Sequence, residues 1–189
     1  MTRQEAWEIV CEFIASENLR KHALAVEAAM RGFARLAGED EERWGLVGLI
    51  HDFDWEIHPT LEGHPQKGAE ILRSRGVGEA TIQAVLSHAS HTGVPRETAL
   101  ERTLFAVDEL SGFLIACALV RPDRSLRGLA APSVRKKLKQ KAFAASVSRE
   151  DIEAGARELG VDLGEHIDRL VAILAPIEST LGLGATDAG

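Results

Sequence analysis

Leu49-Ile50-His51-Asp52-Phe53-Asp54 is the stretch on which the fold turns. Two apolar residues that suit a buried helix run into an imidazole, a carboxylate, an aromatic ring and a second carboxylate. Upstream, Trp44, Val47, Gly48 and Ile50 or His51 recur at helical spacing, and Glu41 and Glu42 place negative charge at the positive end of the dipole. A helix over about 41–51 is therefore expected. Neighbouring side chains on a helix point about 100° apart, so His51 and Asp52 can share one divalent metal only near the helix end, between their two directions. The value of the pair then depends on whether partners of the right type occur elsewhere in the chain.

The composition agrees with an all-α class. The 189 residues are 45% hydrophobic and 27% charged, which suits one domain over 1–189 with a sizeable core. There is no tyrosine, and the long segments are rich in Ala, Leu, Glu and Arg, residues that keep rotamer freedom in a helix. A formal charge of −7 argues against holding bulk nucleic acid or an anionic membrane through a general positive field. Small anionic substrates stay compatible, because a bound metal reverses the local sign. Cys11 and Cys117 lack CxxC spacing and read as reduced core residues. The first residues carry no charged-then-apolar signal pattern. The most apolar run, Leu104 to Val120, is broken by Asp108, Glu109, Ser111 and Gly112 and is short for a membrane span, so a cytoplasmic location is expected.

Taken in order, Thr2 with Glu5 forms a capping box for a first helix to about Ser16, and Asn18 caps a second to Ala37, with His22 at the edge of its apolar stripe. Phe53 to Glu62 reads as a loop. Gly63-His64-Pro65 opens a fourth helix to Arg75 with proline in its first turn, and Gly78 to Ser90 makes a fifth with His88 near its end and His91 in the turn beyond. Thr98 to Val120 is a long apolar helix with Asp108 inside it, where an ionised carboxylate costs several kcal/mol unless compensated. A short basic helix over Ser133 to Lys141, one capped by Ser148 and running to Leu159, and a last one over Leu163 to Leu181 kinked at Pro176 complete the chain, with Gly182 to Gly189 frayed.

The pieces Lys-His-Ala-Leu-Ala-Val (21–26), Leu-Ile-His-Asp-Phe-Asp (49–54) and Phe-Ala-Val-Asp-Glu-Leu (105–110) resemble the HD superfamily of metal-dependent phosphohydrolases. Its pattern is an early His, then His-Asp, then a later Asp, all on helices of one α-bundle. The resemblance covers residues 15–120 and leaves 121–181 as a C-terminal helical extension. His-Pro-Gln-Lys-Gly-Ala (64–69) is similar to the element of the subgroup with two-metal centres. The resemblance implies that His22, His51, Asp52 and Asp108 hold a first divalent ion, that His64 and His88 hold a second, and that Asp52 bridges them. Nitrogen and oxygen ligands without thiolate suit Mn, Fe, Co, Ni, Zn or Mg. The implied activity is hydrolysis of a phosphate ester (a phosphomonoester, a phosphodiester or a nucleotide) by metal-activated hydroxide. The alternative is a non-catalytic module of the same fold that binds a nucleotide or a partner around a structural metal. A small phosphorylated substrate or nucleotide is the expected partner, with a homodimer as a candidate assembly.

One departure stands out. The commonest form of the motif has Ile-Gly after the pair, where this chain has Phe53-Asp54 followed by Trp55 and Glu56. Asp54 joins Asp52 and Lys67 as a catalytic candidate. It would either take a proton from a metal-bound water or hold a liganding His from behind. Lys67, one turn beyond His64, is a candidate phosphate contact. The run Arg135 to Lys141 reads as a solvated basic face rather than a phosphate site, and His58 and His166 as structural or solvated.

Overall fold

The computed structural model describes residues 1–184. Among them are nine α-helices and no strand: α1 (Arg3–Phe13), α2 (Glu17–Ala37), α3 (Glu41–Ile50), α4 (Gln66–Ser74), α5 (Glu79–Ser87), α6 (Ala99–Leu119), α7 (Ala131–Leu138), α8 (Arg149–Glu158) and α9 (Leu163–Leu174). The chain divides within α6 into two compact units, Met1–Phe105 and Ala106–Gly189. None of the helices in the described residues is long and apolar enough to cross a membrane.

In the first unit the capping box forms as expected: Thr2 Oγ1 accepts from the Glu5 amide at 3.2 Å, and Glu5 Oε2 accepts from the Thr2 amide at 2.7 Å. The cap of α2 is Ser16 rather than Asn18, its hydroxyl accepting from the Leu19 amide. Glu56 Oε2 accepts from the amides of Ala15 and Ser16 at 2.9 and 3.0 Å, which fixes the corner between α1 and α2 and sets Ser16 at the helix start. Asp40 caps α3 by accepting from the amides of Glu42 and Arg43. Helices α2 and α3 approach closely because Gly48 has no side chain; a Cβ there would lie 2.8 Å from the Val26 carbonyl oxygen. The core of this unit gathers Ile9, Val10, Ile14, Leu49, Ile50, Phe53, Leu72, Ile82 and Val85. Each such side chain contributes about 1.5–3 kcal/mol on full burial.

Two boundaries differ from the sequence reading here. Helix α4 starts at Gln66, so Pro65 stands at its N-cap, after a cis His64–Pro65 bond, instead of inside its first turn. Helix α5 ends at Ser87, and a short 3-10 turn over Ser90–Thr92 follows it.

In the second unit α9 packs against both α7 and α8. Helix α8 meets the start of this unit so closely that a Cβ on Gly155 would lie 2.6 Å from Ala106 Cα. Glu178 gathers the loop after α6, accepting from Ser125 Oγ at 2.7 Å, the Leu126 amide at 3.0 Å and Arg127 Nε at 2.8 Å. Cys117 is a free thiol in this core, and burial pushes its pKa up to about 11. Helix α9 ends at Leu174 and passes into a 3-10 turn over Ala175–Ile177, where a kinked helix to Leu181 was expected. Pro176 supplies no N–H to continue the ladder, and its ring collides with the preceding turn. The tail is tied down through Gly184: the amides of Leu183 and Gly184 donate to Glu178 and Arg124 carbonyls at 2.8 Å, and Leu183 is buried. The remainder of the expected frayed segment, Ala185 to Gly189, lies outside the described residues.

Candidate metal centre

Asp52 follows the C-cap residue of α3, His51, and its two carboxylate oxygens face different pairs of imidazoles. Oδ1 lies 3.2 Å from His64 Nε2 and 3.1 Å from His88 Nε2. Oδ2 lies 3.6 Å from His51 Nε2 and 3.9 Å from His22 Nε2. His22 comes from α2, His51 from the end of α3, His64 from the residue before Pro65, and His88 from the end of α5. Four sequence-predicted residues from four places in the first unit thus present the same ring atom to one carboxylate.

The far nitrogens explain why the rings hold this orientation. His51 Nδ1 donates to the Gly48 carbonyl at 2.8 Å, and His88 Nδ1 donates to the Val85 carbonyl. Both are contacts three residues back along the ring's own helix. His64 Nδ1 donates to Asp54 Oδ1 at 2.8 Å. In the neutral form each of these three rings therefore carries its lone pair on Nε2, toward Asp52.

That arrangement leaves acceptors facing acceptors. His64 Nε2 and His88 Nε2 are 3.2 Å apart, and with Asp52 Oδ1 they form a triangle whose edges are 3.1–3.2 Å. Three electron-rich atoms so close together and nearly buried need a cation between them, either a proton or a metal. The edge length suits an ion about 2.0–2.1 Å from each donor, the usual distance for imidazole nitrogen on zinc-like metals. The imidazole and carboxylate donor set fits a divalent metal, and two such groups occur among the described residues. With no metal bound, protons take that part. Burial disfavours the charged form of His64, but hydrogen bonds to Asp52 and Asp54 outweigh it and push the pKa up to about 9. Burial likewise opposes the charge on Asp52, yet His51, His64 and His88 hold its carboxyl well below the usual carboxylate range.

The residues that replace the common Ile-Gly each have a defined contact. Phe53 is 1% exposed, with Phe13 edge-on at 5.4 Å. Asp54 is fully buried and grips two groups, His64 Nδ1 through Oδ1 and the Gly68 amide, at 3.0 Å, through Oδ2. Gly68 permits this, since a Cβ would lie 2.5 Å from Asp54 Cγ. Trp55 packs edge-on against His64 at 5.0 Å, and Glu56 holds the corner before α2. Asp54 therefore stands behind His64, on the side away from Asp52. Of its two expected roles, this position serves the holding of a histidine. Gly68, read in the sequence only as part of the 64–69 element, gains its reason when Asp54 is seen against its bare α-carbon, and His91, placed in the turn after α5, has its Nε2 2.8 Å from the His64 carbonyl oxygen.

Three further residues complete the sequence reading. Lys67 is exposed on the first turn of α4. Asp108 lies on α6 as the third residue of the second unit and is half-buried. His166 is buried in that unit with Nε2 2.9 Å from the Ala106 carbonyl oxygen, a structural placement.

Comparison with known proteins bears on the family. Residues 19–112 match the model of the HD domain. Ribonuclease Y of Nitratidesulfovibrio vulgaris (strain DP4) is 34% identical over 98 residues, which are 51% of this chain and 18% of that protein. The proteins of the same name from Oleidesulfovibrio alaskensis and Lawsonia intracellularis are 33% and 31% identical over the same length. The chain thus spans about a fifth of the length of these curated relatives. No solved structure matches. With the early His, the His-Asp pair and the matched span of residues in agreement, the chain is an HD-domain protein.

Proposed function

We propose that this chain is a metal-dependent phosphohydrolase with two divalent ions, acting on a small phosphorylated ester or nucleotide. The observation that carries the proposal is the division of Asp52, with Oδ1 on His64 and His88 and Oδ2 on His51 and His22. A carboxylate shared in this way suits two ions side by side. When bound, such ions lower the pKa of water toward about 7 and offset the charge on phosphoryl oxygens.

The first ion would be held by His22, His51, Asp52 and Asp108, four donors of the right kinds. Asp108 enters on the resemblance and on the cost of a half-buried carboxylate in mid-helix, which a cation offsets. The second would be held by His64, His88 and the other oxygen of Asp52. The chain's own part is orientation. Carbonyls of Gly48 and Val85 fix two imidazoles in the Nδ1–H form, Asp54 fixes a third, and Lys67 is assigned to a substrate phosphate. The ribonuclease name of the relatives puts phosphodiesters first among the esters to try.

The test is turnover of purified protein with manganese and a panel of phosphomonoesters, phosphodiesters and nucleotides. Hydrolysis that disappears in Asp52→Ala supports the proposal. Metal and nucleotide binding without turnover of any panel member rejects it in favour of a binding module.

A further inference from the structure

The net charge of −7 conceals a strongly basic segment. Between Arg121 and Arg149 the chain carries nine of its 22 Lys and Arg residues and one acid, Asp123. Some of these cations are used internally: Arg121, Arg127 and Arg135 pair with Asp123, Glu178 and Asp162, and Arg149 turns inward to the carbonyls of Phe143, Ala144 and Val147. The lysines of α7 and its C-terminal continuation are not used so. Lys136, Lys139 and Lys141 are exposed and have no carboxylate partner among the described residues. Lys137 lies with its Nζ 4.6 Å over the Phe143 ring.

Four like charges within six positions repel one another, and that repulsion destabilises the folded segment unless something offsets it. Acids are not scarce in this unit. Helix α8 alone carries Glu150, Asp151, Glu153 and Glu158. Val134 and Ala131 face the core, so the turn that buries them leaves Lys136 and Lys139 on the outer side.

We infer that the face formed by Lys136, Lys137, Lys139 and Lys141 binds the phosphate backbone of a single-stranded nucleic acid. Several cations within six positions match successive phosphates, whereas a small ester offers one or two charges and leaves the remainder unmatched. An anionic membrane fits less well. Charge alone holds such lysines to an anionic surface by about 1 kcal/mol each, and the lysine segment itself carries no large exposed hydrophobic residue to add insertion; Leu119 and Val120, 44% and 56% exposed, stand ahead of it. The inference stands apart from the metal centre, because it concerns holding a strand and requires no turnover.

The experiment measures binding of a fluorescent, mixed-sequence single-stranded oligoribonucleotide to the full chain in EDTA, by anisotropy at several salt concentrations. Four phosphate contacts on a single strand give a slope of about −0.7 each, so affinity falls about 50-fold from 50 to 200 mM salt. The triple variant K136E/K139E/K141E should lose at least tenfold in affinity at low salt and flatten that slope, with its circular dichroism and melting temperature unchanged. Equal binding by the variant, or a slope that the substitutions leave alone, overturns the inference. So does capture by phosphatidylserine vesicles without binding of the oligonucleotide, which would assign the face to a lipid surface. A salt-sensitive dimer lost in the variant, again without oligonucleotide binding, would assign it to a second copy of the chain. Because metal is absent throughout, the result is independent of whether the centre hydrolyses anything.

Discussion

On one side of Asp52, Oδ1 stands 3.2 and 3.1 Å from two buried rings, His64 and His88, whose far nitrogens are both fixed by acceptors. On the other side, Oδ2 stands 3.6 and 3.9 Å from His51 and His22, and the His22 side chain is 19% exposed. The first arrangement is closed, with edges already at the spacing of donors around one small ion. The second is wider and partly open to solvent, the condition a site needs if a substrate is to reach it. The closed side and the open side share one carboxylate.

The largest effect that separates these sides from their common member is expected in Asp52→Ala. Elemental analysis should fall from two ions to none, and hydrolysis should vanish; one ion retained at full affinity would show that the carboxylate is not shared. Next come the individual sides. His51→Ala and Asp108→Ala should each abolish hydrolysis while the helical circular dichroism persists, whereas His64→Ala and His88→Ala should each lower the stoichiometry from two to one. Equal stoichiometries in the two groups would erase the distinction.

Asp54→Asn tests what fixes the closed side. The second ion should bind about 10–100-fold more weakly with the first unchanged, as for other acids that orient a liganding histidine. Isothermal titration resolves the two, and an equal loss at both would mean Asp54 acts through general stability. Gly68→Ala forces a methyl toward the Asp54 carboxylate and should cost about 1–3 kcal/mol in thermal unfolding, with the second ion weakened as well. Ser16→Ala, remote from the rings, should cost about 1 kcal/mol through its lost cap and leave both ions untouched.

The order of helices and the identity of the converging histidines were legible because both rest on local chemistry: apolar spacing, Thr2 with Glu5, and imidazoles at helix ends. The misplaced cap of α2 shows where such legibility stops. Ser16 and Asn18 are equally good caps read locally, and the choice between them depends on Glu56, forty residues away, binding the amides of Ala15 and Ser16. Asp54 is the same case at the centre itself. Its side chain offers a proton acceptor or a strut, and the contacts that speak for the strut, with His64 and the bare Gly68, are visible only in three dimensions. Pro176 was read as a kink because the residues after it keep an apolar pattern, but the missing N–H ends α9 instead. That residues 1–189 form one cooperative domain remains a proposal beside the two compact units, and a single calorimetric transition of the whole chain is its test.

Under the two-ion proposal, a carboxylate divided between two positions also couples them thermodynamically. Whatever factor occupancy of the closed side applies to affinity on the open side, linkage requires that the open side return the same factor. Two metals titrated in opposite orders must therefore give one coupling constant. A cell that starves the protein of one ion would detune its grip on the other to the same degree, with Asp52 as the exchange between them.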